Sequence, residues 1–166
     1  IRAVVELAPN FITIHASGGR EMMKAAVEEA GTQAARFNVP RPKLLGVTVL
    51  TSLDRSDLEA TGVNADPSDQ VVRLAALAHE SGLDGVICSP LEIAALRKQC
   101  GPDFVLMVPG IRPVGSAAND QKRAMTPRQA VDLGATNLVV GRPIYQAADP
   151  RAAAEAIARE AGVNDL

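Results

Sequence analysis

The chain has 166 residues, of which 47% are hydrophobic and 22% charged, and its formal net charge is −2. This length predicts one domain over residues 1–166, with enough apolar content to build a core. The near-neutral balance, without a basic stripe or an aromatic platform, argues against nucleic acid as a partner. The apolar runs are too short to span a bilayer, so we expect no membrane association and a cytoplasmic protein.

The two cysteines, Cys88 and Cys100, have neither the spacing of a zinc site nor that of a redox pair. We therefore expect two reduced thiols with packing roles, and no bound metal. Aromatic residues make up only 2% of the chain. This scarcity favours strands of Val, Ile and Leu that are covered by Ala-rich helices.

Five short apolar runs predict the strands of a sheet. Each run is continuously apolar rather than alternating, which is typical of strands buried on both faces. The runs cover residues 11–15, 44–50, 85–88, 104–108 and 137–140. Helical patterns lie between them, so the predicted order is a strand followed by a helix, repeated five times.

The predicted helices begin at capping residues followed by proline, an arrangement that favours a helix start. The capping residues with this arrangement are Asp66, Ser89, Thr126 and Asp149. The predicted helices cover residues 20–37, 53–61, 67–81, 91–100, 128–133 and 151–161. In the first helix, Met22 and Met23 are expected on the buried face. Residues 1–8 have the pattern of the last turns of another helix.

Two architectures are compatible with repeated strand–helix units and a parallel sheet. One is an open doubly wound sheet, and the other is a (β/α)8 TIM barrel. A complete barrel needs about 250 residues, so five units in 166 residues predict an incomplete barrel with strands 4 to 8. Such a barrel leaves two strand edges open. The fold class we expect is α/β, an incomplete TIM barrel, with the open sheet as the alternative.

Two motifs after the last two predicted strands indicate a phosphate site. They are Val-Pro-Gly-Ile-Arg-Pro (108–113) and Val-Val-Gly-Arg-Pro (139–143). TIM barrels commonly bind phosphate with the loops after strands 7 and 8. Gly110 and Gly141 would allow close approach of the backbone, and Arg112 and Arg142 would add charge-assisted hydrogen bonds. Taken alone, Gly-Arg-Pro is more simply a turn with a solvated arginine, and its pairing with the first motif favours the phosphate site.

The segment 111–125 is rich in Gly, Ser, Ala, Asn and Asp and shows no apolar periodicity. Loops of this length in compact domains are usually functional or disordered. Its place beside the phosphate site predicts a lid. A mobile insertion is the alternative.

Five stretches of the chain share the pattern of a known family. They are Leu-Leu-Gly-Val-Thr-Val-Leu-Thr-Ser (44–52), Gly-Leu-Asp-Gly-Val-Ile-Cys-Ser (82–89), Pro-Gly-Ile-Arg-Pro (109–113), Gly-Ser-Ala-Ala-Asn-Asp-Gln-Lys-Arg (115–123) and Val-Gly-Arg-Pro-Ile (140–144). Together they resemble the bacterial orotidine 5′-phosphate decarboxylases. The resemblance implies a homodimeric TIM barrel of the ribulose-phosphate-binding type. It also implies conversion of orotidine 5′-monophosphate to UMP and CO2 in pyrimidine biosynthesis, without metal or organic cofactor.

The resemblance implies a phosphate-binding role for four residues. The family's phosphate ligands match Arg112, Gln121, Gly141 and Arg142. Gln121 lies on the expected lid, nine residues after Arg112, so its amide would reach back over the phosphate.

Other matches concern the pyrimidine ring. Thr51 and Ser52 match the family's hydroxyl position at the pyrimidine edge, and the choice between them stays open. Pro109 matches the residue beside the base. His15 resembles the family's histidine at the end of strand 4, although a histidine that is satisfied at a strand end fits equally well. His79 is expected on the surface of a helix.

The family's acid–base signature, Asp-x-Lys-x-x-Asp, does not occur in these 166 residues. The nearest pattern, Asp120-Gln121-Lys122, has Met125 where the final aspartate belongs. We therefore expect no catalytic residue in this segment, an acid–base group upstream of Ile1, and no turnover by the segment alone. The alternatives are another ribulose-phosphate-type barrel enzyme and a non-catalytic nucleotide-binding fragment.

Overall fold

The computed structural model describes residues 1–113 and 125–163. Its strands are β1 (Phe11–His15), β2 (Lys43–Val47), β3 (Gly85–Ile87), β4 (Val105–Val108) and β5 (Asn137–Leu138). They lie in the order β1-β2-β3-β4-β5, and each neighbouring pair is parallel. A doubly wound sheet reverses its strand order at a switch point, whereas this order runs in one direction. The α/β fold is thus of the barrel type, and within the described residues the sheet does not close.

The helices follow the strands in the predicted alternation. They are α1 (Arg20–Phe37), α2 (Arg55–Ala60), α3 (Pro67–Glu80), α4 (Ile93–Cys100), α5 (Pro127–Asp132), α6 (Arg142–Tyr145) and α7 (Pro150–Glu160). Short 3-10 helices occur at Val5–Leu7, Ala16–Gly18 and Pro90–Glu92. No helix of the described residues is long and apolar enough to cross a membrane.

Three of the four predicted helix starts are confirmed, because α3, α5 and α7 begin directly after Asp66, Thr126 and Asp149. The fourth, Ser89, precedes the 3-10 helix Pro90–Glu92, and α4 begins only at Ile93. Thr126 accepts a hydrogen bond from the Gln129 N–H at 3.3 Å, and Asp149 accepts one from Ala152 at 3.0 Å. Asp66 precedes α3 without capping it, because its carboxylate pairs with Arg55 at 3.2 Å.

The expectation for residues 1–8 was wrong, because they form a turn and a 3-10 helix rather than the end of an α-helix. Ala8, in the left-handed region at φ 49°, ends that short helix. Met22 was also expected in the core but is 37% exposed, whereas Met23 is fully buried.

Four strands are shorter than predicted, β2 and β5 by two residues each and β3 and β4 by one residue each. The ladder of β2 ends at Val47, although the Thr48 N–H still donates to the Ile87 carbonyl at 3.3 Å. The Thr48 hydroxyl donates to the same carbonyl at 2.7 Å. Leu50, predicted inside this strand, is 49% exposed. The ladder of β5 ends at Leu138, although the Val139 N–H still donates to Val108 at 2.9 Å. Past β2, Val49 and Leu50 line the hollow at the carboxyl ends of the strands, whereas past β5 Val140 lines an apolar hollow beside α6 and α7.

The core lies between one face of the sheet and the helices. Its fully buried strand residues are Leu44, Val86, Leu106 and Val108, and its fully buried helix residues include Met23, Ala30, Val71, Ala75 and Leu96. Each large aliphatic side chain buried in this way contributes roughly 1.5–3 kcal/mol of hydrophobic free energy. The small alanines let the helices approach the sheet closely, as the composition predicted.

Both open edges of the sheet carry apolar hollows. Ile12, Ile14 and Met22 line one of them beside β1. Leu138, Val140 and other aliphatic residues line the second, between β5, α6 and α7. These hollows agree with the two edges expected of an incomplete barrel.

Candidate functional site

A hollow of about 270 Å3 lies at the carboxyl ends of β2, β3 and β4. It is lined by Val47, Val49, Leu50, Thr51, Ser52, Ile87, Cys88 and Pro109. The structure therefore brings together three residues predicted to meet the base: Thr51, Ser52 and Pro109. Mostly apolar walls with a small number of hydroxyl groups suit a flat, partly polar ring. Thr51 is half-buried and Ser52 exposed, so both remain candidates for the polar contact.

The start of α2 holds the segment that carries the two hydroxyl groups. Asp54 accepts hydrogen bonds from the N–H groups of Ser56 and Asp57, at 3.0 and 3.2 Å. The Asp57 carboxylate in turn accepts the Asp54 N–H at 2.9 Å. This reciprocal capping box fixes the direction in which the chain leaves the hollow. The sequence pattern predicts the helix start at residue 53, whereas α2 begins at Arg55 and Asp54 is its cap.

Five wall residues of the hollow were not predicted from the sequence: Val47, Val49, Leu50, Ile87 and Cys88. Two of them, Val47 and Ile87, are direct partners in neighbouring parallel strands, so the register of the strands is the signal that could have found them. Cys88 is 1% exposed, and neither Cys88 nor Cys100 forms a disulfide bond, which agrees with the expectation of two reduced cysteines.

Arg112 lies just beyond β4 and is only 9% exposed. Its Nη1 donates to the carbonyl of the preceding residue, Ile111, at 2.8 Å. Its Nε is buried and has no hydrogen-bond partner among the described residues. Within that part of the chain, Arg112 makes no ion pair with a carboxylate. A buried cation of this kind costs free energy that a bound anion would offset.

The backbone around Arg112 is tied to the far end of the predicted lid. The Arg112 N–H donates to the Met125 carbonyl at 2.9 Å, and Ile111 forms an isolated parallel bridge with Met125. Residues 111 and 125 therefore lie side by side. Gln121 and the predicted lid fall in 114–124, outside the described residues.

The end of β5 presents the second arginine. Gly141 is the N-cap of α6, and its carbonyl accepts from Ile144 and Tyr145 at 2.9 and 3.2 Å. Arg142, half-buried, is the first residue of that helix. A Cβ on Gly141 would meet only the Tyr145 ring, at the ordinary contact distance of 3.7 Å. The described residues therefore leave open space beside Gly141.

The two histidines lie outside this hollow. His15 is exposed at the end of β1, so its role stays a prediction. His79 is exposed on α3, as expected, and its ring packs edge-on against Phe104 with 5.1 Å between centroids. Among residues 1–113 and 125–163, no group of three or more His, Cys, Asp or Glu side chains could hold a metal ion.

Comparison with known proteins gives the family. The model of the orotidine 5′-phosphate decarboxylase / HUMPS family matches residues 2–157. The chain belongs to this family. Orotidine 5′-phosphate decarboxylase of Moorella thermoacetica is 51% identical over 160 residues, which cover 96% of this chain and 64% of that protein. The same enzyme of Paramagnetospirillum magneticum is 51% identical over 163 residues, which cover 98% and 69%.

A solved structure agrees with the fold. The crystal structure of orotidine 5′-phosphate decarboxylase from Lactobacillus acidophilus superposes with a TM-score of 0.80 at 40% identity. The match covers 96% of this chain and 66% of that chain. This member of the family spans about two thirds of the length of the curated relatives it matches.

Proposed function

We propose that this segment supplies the phosphate and pyrimidine binding of an orotidine 5′-phosphate decarboxylase, a carbon–carbon lyase. The substrate would be orotidine 5′-monophosphate and the products UMP and CO2, in pyrimidine biosynthesis and in the cytoplasm. Family membership supports this assignment. The single observation that carries the binding role is Arg112, a buried guanidinium without a carboxylate partner among the described residues.

The phosphate would bind where the ends of β4 and β5 meet. Arg112 and Arg142 would each donate charge-assisted hydrogen bonds, and the open space over Gly141 would let phosphate oxygens approach the backbone N–H groups. Gln121 would reach the same phosphate from the lid, as the family resemblance implies. A doubly charged phosphate would neutralise both guanidinium groups.

The pyrimidine would lie in the 270 Å3 hollow at the ends of β2, β3 and β4. Pro109 would pack beside the ring, and the hydroxyl of Thr51 or Ser52 would meet its polar edge. Pro109 lies three positions before Arg112, so one loop would contact both the base and the phosphate.

The chemistry would take place at C6 of the pyrimidine. The bond from C6 to the carboxylate carbon breaks, CO2 leaves, and the electron pair stays on C6 as a carbanion. A neighbouring ammonium group from the family's Asp-x-Lys-x-x-Asp signature would stabilise this charge and then donate its proton to C6. That signature is not among these 166 residues, so the segment alone is proposed to be inactive.

The phosphate lies remote from the breaking bond but would still contribute to the rate. Its binding energy can close the lid and organise the site, which converts remote affinity into stabilisation of the transition state. No cofactor takes part in this scheme. The working assembly is proposed to be a homodimer.

Titration of the 166-residue chain by NMR in phosphate-free buffer tests the binding role. UMP should shift the amide signals of Thr51, Gly110 and Arg112, where Gly110 reports on Pro109, which has no N–H of its own. Uridine should bind at least about tenfold more weakly because it lacks the phosphate. The Arg112→Met variant should lose this preference for UMP. The Arg73→Met variant, changed on the exposed surface of α3, should keep it.

Two outcomes would favour other functions. Binding of a pentulose phosphate in preference to UMP would indicate a sugar-phosphate enzyme of the same barrel type. UMP binding without decarboxylation, in a chain extended by the upstream signature, would indicate a non-catalytic nucleotide-binding protein.

A further inference from the structure

Arg97, on α4, binds two loops at the amino end of the sheet, opposite to the candidate site. Its Nη1 donates to the carbonyls of Gly101, Pro102 and Phe104, at 2.8, 3.1 and 2.7 Å. Its Nε donates to the Gly134 carbonyl at 2.9 Å, across 37 positions of sequence. The first loop leads directly into β4, and Gly134 lies on the loop that leads into β5. One side chain therefore ties together the entrances of these two strands.

The ladder between β4 and β5 is short, so the contacts of Arg97 matter for the alignment of these two strands. Its residue pairs are Met107 with Asn137 and Val108 with Leu138. Thr136 extends the contact between the two strands. Its hydroxyl accepts a hydrogen bond from the Leu106 N–H at 2.8 Å and donates one to the Leu106 carbonyl at 2.9 Å. Since a slip of one residue would turn every side chain of a strand to the opposite face, a short ladder depends on contacts outside it to keep its register.

The loop before β5 is shaped around Arg97. Gly134 has a φ of +106°, in the region that favours glycine. A Cβ at this position would lie 3.0 Å from both Cγ and Nε of Arg97. The glycine thus provides the backbone conformation and also the space in which the guanidinium reaches the carbonyl.

We propose that Arg97 is a positioning residue for the phosphate site: by fixing the entrance of β5 against that of β4, it holds Arg142 opposite Arg112. Arg97 touches neither arginine and acts through the Gly134 carbonyl and the length of β5. This inference rests on the proposed function for its phosphate ligand. The tie between the two loops is independent of that ligand.

Two substitutions in the 166-residue chain separate positioning from general stability. Arg97→Met removes every donor. Arg97→Lys keeps one ammonium that can still bind the carbonyls before β4, but a lysine has no planar fork with which to reach Gly134 at the same time. Both variants should therefore release β5, and Arg97→Lys should be the more stable of the two.

The first measurement is hydrogen exchange by NMR. The Val139 N–H, which donates to Val108, should exchange about tenfold faster in both variants, because the contact that orders β5 is lost. The Asp84 N–H, which donates to Leu44 in another part of the sheet, serves as the internal reference and should change little.

The second measurement is affinity for UMP and for uridine. In both variants UMP should bind about tenfold more weakly, with uridine affinity unchanged within about twofold, because only the phosphate site is displaced. A merely structural role would lower both affinities in proportion to the loss of folded protein.

A matched pair of glycine variants repeats the test without changing Arg97. Gly134→Ala should reproduce the exchange and affinity changes, because the new Cβ displaces the guanidinium. Gly62→Ala carries the same kind of backbone penalty, at φ +84°, but has nothing within 4 Å of the new Cβ. It should leave Val139 exchange and UMP affinity as in the unchanged chain.

Unaltered Val139 exchange in Arg97→Met and Arg97→Lys would overturn the inference, as would an equal loss of UMP and uridine binding. If the unchanged chain fails to bind UMP, the proposed function is contradicted. In that case the exchange of Val139 still decides whether Arg97 positions β5.

Discussion

Arg112 and Arg142 follow two paired strand residues at the same distance along the chain. Val108 of β4 pairs with Leu138 of β5, Arg112 lies four residues after Val108, and Arg142 lies four residues after Leu138. Because the two strands are neighbours and parallel, equal offsets bring both residues to the same edge of the sheet. Arg112 reaches that edge as a buried residue, and Arg142 reaches it as the first residue of α6. This equal offset is the geometric basis of the proposed phosphate site.

Replacing Arg112 by Met should separate stability from binding. In phosphate-free buffer the free energy of unfolding should stay the same or rise by about 1 kcal/mol, because the removed charge is buried and has no carboxylate partner among residues 1–113 and 125–163. The increase in melting temperature that UMP gives the unchanged chain should disappear. Urea denaturation and thermal melts check both effects, with Arg151→Met on the exposed surface of α7 as the control. A clear loss of stability without ligand would assign Arg112 a structural role instead.

Gly141→Ala should weaken UMP binding while leaving the fold intact. Within the part of the chain that the structure describes, the added methyl group meets only the Tyr145 ring, at 3.7 Å, so the free energy of unfolding should change by less than about 1 kcal/mol. It would, however, occupy the space through which a phosphate oxygen approaches the backbone. Calorimetric titration with UMP and uridine measures the effect, and Gly31→Ala on α1, where the new Cβ meets nothing within 4 Å, is the comparison. Unchanged UMP affinity would place the phosphate elsewhere.

Arg142→Ala should reduce catalysis in a chain that also contains the upstream signature. Loss of a charge-assisted contact in a closed site costs about 3 kcal/mol of transition-state stabilisation, or roughly two orders of magnitude in kcat/KM. Orotidine, which has no phosphate, should be turned over at the same low rate by both proteins. Steady-state kinetics with orotidine 5′-monophosphate measure the loss. An unchanged kcat/KM would show that Arg142 does not contact the phosphate.

Asp54→Ala should lower the free energy of unfolding by about 1 kcal/mol, because the carboxylate caps two N–H groups at the start of α2. Asp66→Ala, at the start of α3, should cost less, since Asp66 makes no capping bond and its pair with Arg55 is exposed. Urea denaturation of both variants gives the comparison. Equal costs would show that the capping box adds nothing at Asp54.

The thiol of Cys100 should make stability depend on alkaline pH. Burial raises the pKa of Cys100, and the nearby positive charge of Arg97 only partly opposes this effect. The unfolded chain therefore loses the thiol proton at a lower pH than the folded chain. Stability from this group is complete below the usual thiol pKa of about 8.5 and is lost as the pH rises through the folded value. Unfolding free energies between pH 7 and about 10 should fall more steeply for the unchanged chain than for Cys100→Ala.

Local sequence signals predicted most of the fold. Proline after a capping residue acts within one turn, so the starts of α3, α5 and α7 could be predicted without knowledge of the rest of the chain. The five apolar runs located the strands, and the glycine–arginine motifs predicted which strand ends would carry the phosphate site. The hydrogen bond from the Thr48 hydroxyl to the Ile87 carbonyl, just past the end of β2, gave no such signal, because its partner lies 39 positions away.

The sequence by itself determined the order of strands and helices, the aliphatic core and the two glycine–arginine motifs, because each depends on residue type and short spacing. The residues proposed to meet the pyrimidine, and Gln121, were implied by the family resemblance. Only the tertiary structure decided that Arg112 is buried without a carboxylate partner in the described residues, and that Arg97 joins the entrances of β4 and β5. Burial and long-range hydrogen bonds arise when distant segments pack together. No local pattern encodes them.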